Sequence, residues 1–222
     1  RMATQHLDLE EQEQLDQIKA FWRKWGNAIT WLLIVVLGSY AAYNGWQLWQ
    51  NSRAQKAAAI YDQVTEAAGA GDLTRLQRVL TDFRNEADGT LLLQHGELAL
   101  AKVAVDKGDL TVASAALNRV IADGTDEGLT AIAKLRLAGV FMQEAAWDKA
   151  KGLLGGTWAP EFEGLVADRL GDIALATDDT AGAIAAYQKA WSALGRDLPY
   201  RRLIEVKLNA LGSTGETAPE GK

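Results

Sequence analysis

From Trp25 to Ser52 the chain runs for 28 residues without a charged side chain, with Ile29-Thr30-Trp31-Leu32-Leu33-Ile34-Val35-Val36-Leu37 at its centre. At about 1.5 Å per helical residue such a run extends roughly 42 Å, enough for a hydrocarbon core and both interfaces. Five of the eight tryptophans fall between positions 22 and 49: Trp22 and Trp25 lie at one end of the run, Trp46 and Trp49 at the other. Indole rings prefer the headgroup level, so the run predicts a membrane helix between two aromatic belts rather than a buried core helix. The apolar stretch continues through Tyr40, Ala41, Ala42 and Tyr43. That aromatic end is unlike the small-residue site of a cleaved signal peptide, so an uncleaved anchor is expected. Lys19, Arg23 and Lys24 precede the run while Arg53 and Lys56 follow it. Positive residues stay inside, which puts residues 1–24 in the cytoplasm and the rest beyond the membrane. In a Gram-negative cell that is the periplasm.

Within the run, Gly38, Ala42 and Gly45 recur at spacings of four and three and so share one helical face. Small residues let two backbones approach in lipid, where packing drives association. This face is the expected contact with a second membrane helix; the alternative is small residues tolerated without a partner. Before the run, Asp8 with Glu11 has the form of a helix cap and its reciprocal acid. Leu15, Ile18 and Trp22 follow on one face, with Phe21 close by. Two readings stay open: a solvated helix leading into the bilayer, or an interfacial docking helix.

Beyond Arg53 the sequence is rich in Ala and Leu and punctuated by Gly-Asp or Asp-Asp turns. Gly71-Asp72-Leu73-Thr74 opens a segment ending at Leu80, and Gly108-Asp109-Leu110-Thr111 opens another, 37 residues on, ending at Leu117. The frame returns after a further 37 at Ala146-Trp147-Asp148 and, 33 later, at Asp179-Thr180-Ala181. In this alignment Leu76, Ala113, Ala150 and Ala183 share one position; Leu80, Leu117, Leu154 and Tyr187 share another. A small residue followed four later by a large one lets one helix approach its partner and insert a knob beside it. Periods in this range predict stacked helix pairs, so the fold class is all-α: an N-terminal membrane helix, then a helical-repeat domain.

The last repeat, with Leu170-Gly171, Ala174, Ala183, Tyr187 and Ala190, resembles a tetratricopeptide repeat; the one before matches through Leu137-Ala138, Phe141, Ala150 and Leu154. The tryptophan usual early in the first helix is replaced by Ile60, Glu97, Lys134 and Ala167, which points to irregular stacking. Taken whole, the chain resembles the YfgM family, the ancillary subunit of the bacterial Sec translocon. The likeness covers the acidic Asp8-Leu9-Glu10-Glu11 segment, Ile18-Lys19-Ala20-Phe21-Trp22, the tryptophan-flanked anchor and the repeats. It implies an inner-membrane protein with a periplasmic tetratricopeptide-like domain. The implied partners are SecYEG, the membrane-anchored, prolyl-isomerase-like chaperone PpiD, and newly translocated chains. The other function class in view is an envelope scaffold for cell division or wall assembly.

The resemblance also implies that the first helix of each pair lines a concave groove. In the frame set by Ala113, Ala150 and Ala183 the inward positions hold Leu98, Lys102 and Val105, then Ile132, Leu135 and Met142, then Leu165, Asp168, Asp172 and Leu175. Such a lining suits an extended or helical peptide. The competing expectation is that a neighbouring helix, formed by residues 199–211, covers these side chains.

Little else points to chemistry. The chain has no cysteine and only two histidines, His6 and His95, so thiol catalysis is excluded and a metal or histidine base has little to build from. A net charge of −6 argues against a nucleic-acid partner. Glu10-Glu11-Gln12-Glu13 reads as a solvated helix face, and the glycines 152, 155 and 156 do not follow a strand as a phosphate loop would. No catalytic, cofactor or metal site is expected, and the protein reads as a binding protein, not an enzyme. The expected divisions are 1–24 cytoplasmic, 25–52 anchor, 53–211 repeats and 212–222 a disordered tail.

Overall fold

The computed structural model describes residues 9–214, with side chains from Leu15 onward, and contains no strand among them. The Asp8–Glu11 cap and the tail beyond Thr214 therefore lie outside the described side chains. The described helices are α1 (Leu9–Gly69), α2 (Leu73–Ala87), α3 (Leu91–Asp106), α4 (Leu110–Asp123), α5 (Glu127–Gln143), α6 (Trp147–Leu154), α7 (Pro160–Ala176), α8 (Thr180–Ala193) and α9 (Pro199–Ala210). The chain divides into two compact units, residues 1–55 and 56–222.

In the first unit α1 is long and apolar enough to cross a membrane. Two of its polar side chains turn back onto the helix's own carbonyls, which suits an apolar surrounding. Thr30 Oγ1 donates to the Gly26 carbonyl at 2.8 Å, and Asn44 Nδ2 to the Tyr40 carbonyl at 3.1 Å. The Trp46 and Trp49 rings lie 5.5 Å apart, and the Arg53 guanidinium sits 5.3 Å from the Trp49 ring. Gly38 and Gly45 open onto empty space, and Ala42 is exposed with them.

In the second unit the repeat seen in sequence is a repeat of turns. Gly71, Gly108, Ala145 and Asp178 all take left-handed backbone angles, with φ of 63°, 78°, 56° and 62°. Each turn closes with the same pair of bonds: Gly71, Gly108, Ala145 and Asp178 donate to the carbonyls of Ala68, Val105, Met142 and Leu175, and Asp72, Asp109, Ala146 and Asp179 to those of Ala67, Ala104, Phe141 and Ala174. This is the Schellman ending, which satisfies carbonyls that a helix terminus otherwise leaves bare. The same residue then caps the following helix, the Asp72, Asp109 and Asp179 carboxylates accepting from Arg75 N, Val112 N and Gly182 N in three of the four turns. Ala146 has no side chain to do so, and α6 is the one of these four helices without a side-chain cap.

Each turn reverses the chain, so α3 packs on α4, α5 on α6 and α7 on α8, with α2 against α3 and α4 against α5 joining successive pairs. The small–large frame supplies the buried seams: Leu76, Ala113, Ala150 and Ala183 are inaccessible, and Leu80, Leu117, Leu154 and Tyr187 nearly so. Glycines permit close approach between these helices. A Cβ on Gly96 would meet Leu80 at 2.7 Å and Val64 of α1 at 3.5 Å, and one on Gly171 would overlap the Tyr187 ring at 2.5 Å. The absent tryptophans have a physical substitute at Glu97. Its buried carboxylate lies 2.6 Å from Arg84 Nε of α2 and 3.1 Å from Arg119 Nε of α4, so charge ties three helices where an aromatic ring would have filled volume. Beside it buried Gln94 donates its amide to Thr125.

Candidate functional site

A cleft of about 580 Å³ opens between the C-terminal turns of α3, α5 and α7. Its floor is apolar: Ala101, Val105, Leu117, Val140 and Met142, with Trp147 of α6 and Ala176 of α7 at the sides. Lys102, Asp106, Arg136, Gln143 and Arg169 supply the polar edge, and Gly139 leaves a bare stretch of α5 backbone. The Arg169 guanidinium rests over that backbone, 3.8 Å from where a Gly139 Cβ would stand. Arg136 Nη1 donates a long 3.4 Å bond to the Leu98 carbonyl of α3.

Of the residues expected to line a groove, Lys102, Val105 and Met142 meet here. Leu98 and Leu135 depart from that expectation. They are 6% and 9% exposed and belong to the packed cores, because first helices of neighbouring pairs touch along their middles and these side chains fill the seam. Ile132 and Leu165 are half-buried against the same cores, whereas Leu175 is exposed.

Asp168 and Asp172 are not open to a peptide either, because α9 covers them. Asp168 is 1% exposed. It accepts from Tyr200 Oη at 2.5 Å and from Lys207 Nζ at 2.6 Å. Lys207 also reaches Asp172 at 2.6 Å, and Tyr187 Oη donates to the same oxygen at 2.7 Å. A carboxylate is tolerated in such a place only when cations and donors replace its water. The environment shows in the phenols as well. Burial first, then hydrogen bonding to Asp172 and Asp168 respectively, pushes Tyr187 and Tyr200 well above the usual phenol range. Ile204 and Leu208 of α9, both inaccessible, complete a small core with Ala183, Tyr187 and Ala190. The segment expected as a competing cover thus closes the last repeat and leaves the cleft between α3, α5 and α7 open.

This arrangement of paired helices joined by left-handed turns has known counterparts. The family described as tetratricopeptide repeat-like domain matches residues 19–213. The chain belongs to that family. Ancillary SecYEG translocon subunits are similar over nearly their whole length. The Neisseria gonorrhoeae protein is 27% identical over 204 residues and the Haemophilus influenzae protein 28% over 203, each match covering 91% of this chain and 98% of the relative. The Escherichia coli protein is 29% identical over 181 residues, covering 80% and 85%. These matches agree with the resemblance to the YfgM family seen in the sequence. A tetratricopeptide repeat-like domain is a protein-binding kind of module.

Against the tetratricopeptide frame, the two arginines are what inspection of inward positions missed. Arg136 and Arg169 stand one place after Leu135 and Asp168, in equivalent positions of successive repeats. A long side chain reaches beyond its own face of the helix, so a frame that counts Cα directions alone passes over it. The signal was present as two arginines 33 residues apart, the repeat's own offset.

Proposed function

We propose that the chain is a single-pass inner-membrane adaptor of the Sec translocon. Its N-terminus lies in the cytoplasm, and its repeat domain, in the periplasm, binds a PpiD-like chaperone and newly translocated chains. The reading rests chiefly on likeness over nearly the full length to ancillary SecYEG translocon subunits, anchor included. The basic Lys19, Arg23 and Lys24 ahead of the apolar run favour the orientation. The open apolar cleft, with flexible Met142 beside Trp147, favours a peptide ligand over a small polar one. Gly38, Ala42 and Gly45, facing empty space, are the natural surface for a membrane helix of the translocon or of the chaperone.

Purification of the full chain from membranes in mild detergent is the direct test. SecYEG should co-purify, and Gly38→Leu or Ala42→Leu should lower its recovery more than Val35→Leu. Recovery of a wall-synthesis complex without the translocon would replace this reading with that of an envelope scaffold.

A further inference from the structure

The charges of α3, α5 and α7 around the cleft are unevenly committed. Asp106 is paired with Lys102 at 2.8 Å, and α9 consumes Asp168 and Asp172 through Lys207 and the two tyrosines. Arg136 and Arg169 are left with no carboxylate within ion-pair distance among the described residues, although the chain as a whole carries a net charge of −6. Arg136 is exposed and Arg169 half-buried, and each guanidinium is turned onto a neighbouring helix's backbone, Arg136 toward α3 and Arg169 over Gly139. Immediately beneath them the cleft is apolar, through Val105 and Met142.

A guanidinium presents its donors as a planar fork that fits a carboxylate, and such a bond gains strength where apolar walls exclude water. We propose that the cleft selects an extended polypeptide segment carrying an acidic side chain beside an apolar one, with the carboxylate received by Arg136 and Arg169 and the apolar group laid on Val105 and Met142. The inference rests on the peptide-binding reading above and adds its chemical class. The cleft is open, so a chain can pass through it, and the acid is a side chain rather than a chain end.

The test uses the full chain in zwitterionic nanodiscs and three labelled peptides followed by fluorescence anisotropy. One alternates leucine and glutamate and is amidated at its C-terminus; the second has glutamine for glutamate; the third is the glutamine peptide with a free C-terminal carboxylate. The glutamate peptide should bind at least about tenfold more tightly than the amidated glutamine peptide, a ratio equivalent to about 1.4 kcal/mol. Arg136→Gln with Arg169→Gln should abolish that preference while leaving binding of the glutamine peptide intact. Lys151→Gln, on an exposed part of α6, should preserve the preference. Gly139→Leu offers a second route, because it fills the place where Arg169 rests and should also erase the preference. Equal binding of the glutamate and glutamine peptides, or a preference that survives both changes, overturns the acidic specificity while peptide binding stands. Tightest binding of the free-carboxylate peptide overturns the side-chain assignment. If no peptide binds, the peptide-binding reading itself fails.

Discussion

At the scale of single residues, the domain contains a natural experiment in its four repeat turns. Three place an aspartate at the cap, whereas the third places Ala146 there, after an alanine held at a φ of 56°. A left-handed alanine is strained by its Cβ, and a helix start without a side-chain acceptor leaves an amide unsatisfied. Ala145→Gly with Ala146→Asp would copy Gly108-Asp109 into this turn, so the domain should be stabilised by about 1 kcal/mol, most of it from the new cap. Thermal unfolding would show this as a rise in Tm. A fall would mean that the Ala145 and Ala146 side chains support contacts that the glycine and aspartate cannot. Gly171 is the opposite case, a residue whose identity is set by its neighbour. The Tyr187 ring occupies the volume that any side chain there would need, and the tyrosine hydroxyl is anchored on Asp172. Tyr187 was legible through the repeat frame, because small–large spacing along one helix is a local pattern, and Gly171 through the resemblance to a tetratricopeptide repeat.

At the scale of elements, α9 shows where that legibility ends. The helix pairs were readable because each is announced by a turn and a periodic apolar stripe, and three of the four turns by a cap. What a solitary helix packs on is decided by partners 30 to 40 residues earlier, and a single sequence gives no such pairing. Asp168 and Asp172 could be placed on an inward face, but not assigned to Lys207 and Tyr200. The two leucines failed for a related reason: an inward Cα direction does not distinguish an open groove from a seam between first helices, and Leu98 and Leu135 fill seams. The α9 contact is testable by its charge logic. Lys207→Ala leaves Asp168 buried with Tyr200 as its remaining donor, which should cost about 3 kcal/mol, the lower end for breaking a buried pair. Hydrogen exchange should then rise across 199–210 while α3 to α6 stay protected. Adding Asp168→Asn should recover part of the loss, because the stranded charge is gone; no recovery would show that Lys207 acts mainly through Asp172. Alkali probes the same contact. The phenols of Tyr187 and Tyr200 are raised in the folded state, so their contribution is intact below the ordinary tyrosine value. It should be lost as pH climbs from about 10 upward, as unfolded chains ionise first.

At the scale of the whole molecule, the proposed topology makes one plain demand. Protease protection or reporter fusions should place Lys24 on the cytoplasmic side and positions after Arg53 on the opposite side, with the apolar run retained in the mature protein. A soluble mature chain beginning near residue 42 would reject the anchor. The repeat domain itself needs the end of α1: Ala57, Val64 and Ala67 are buried in its first core. Its packing otherwise runs between helices adjacent or next-but-one in order. Contacts of such short range form without waiting for distant chain, so the repeats are able to settle one after another from the N-terminal side as synthesis proceeds. The last pair depends on one helix more. Asp168 and Asp172 are made before Lys207, so until α9 arrives α7 holds two carboxylates without the cation that lets them be buried. Completion of this end of the stack is therefore a matter of timing. A nascent chain paused before Lys207 would present an acidic, unfinished surface, and release of α9 would turn it into a sealed one.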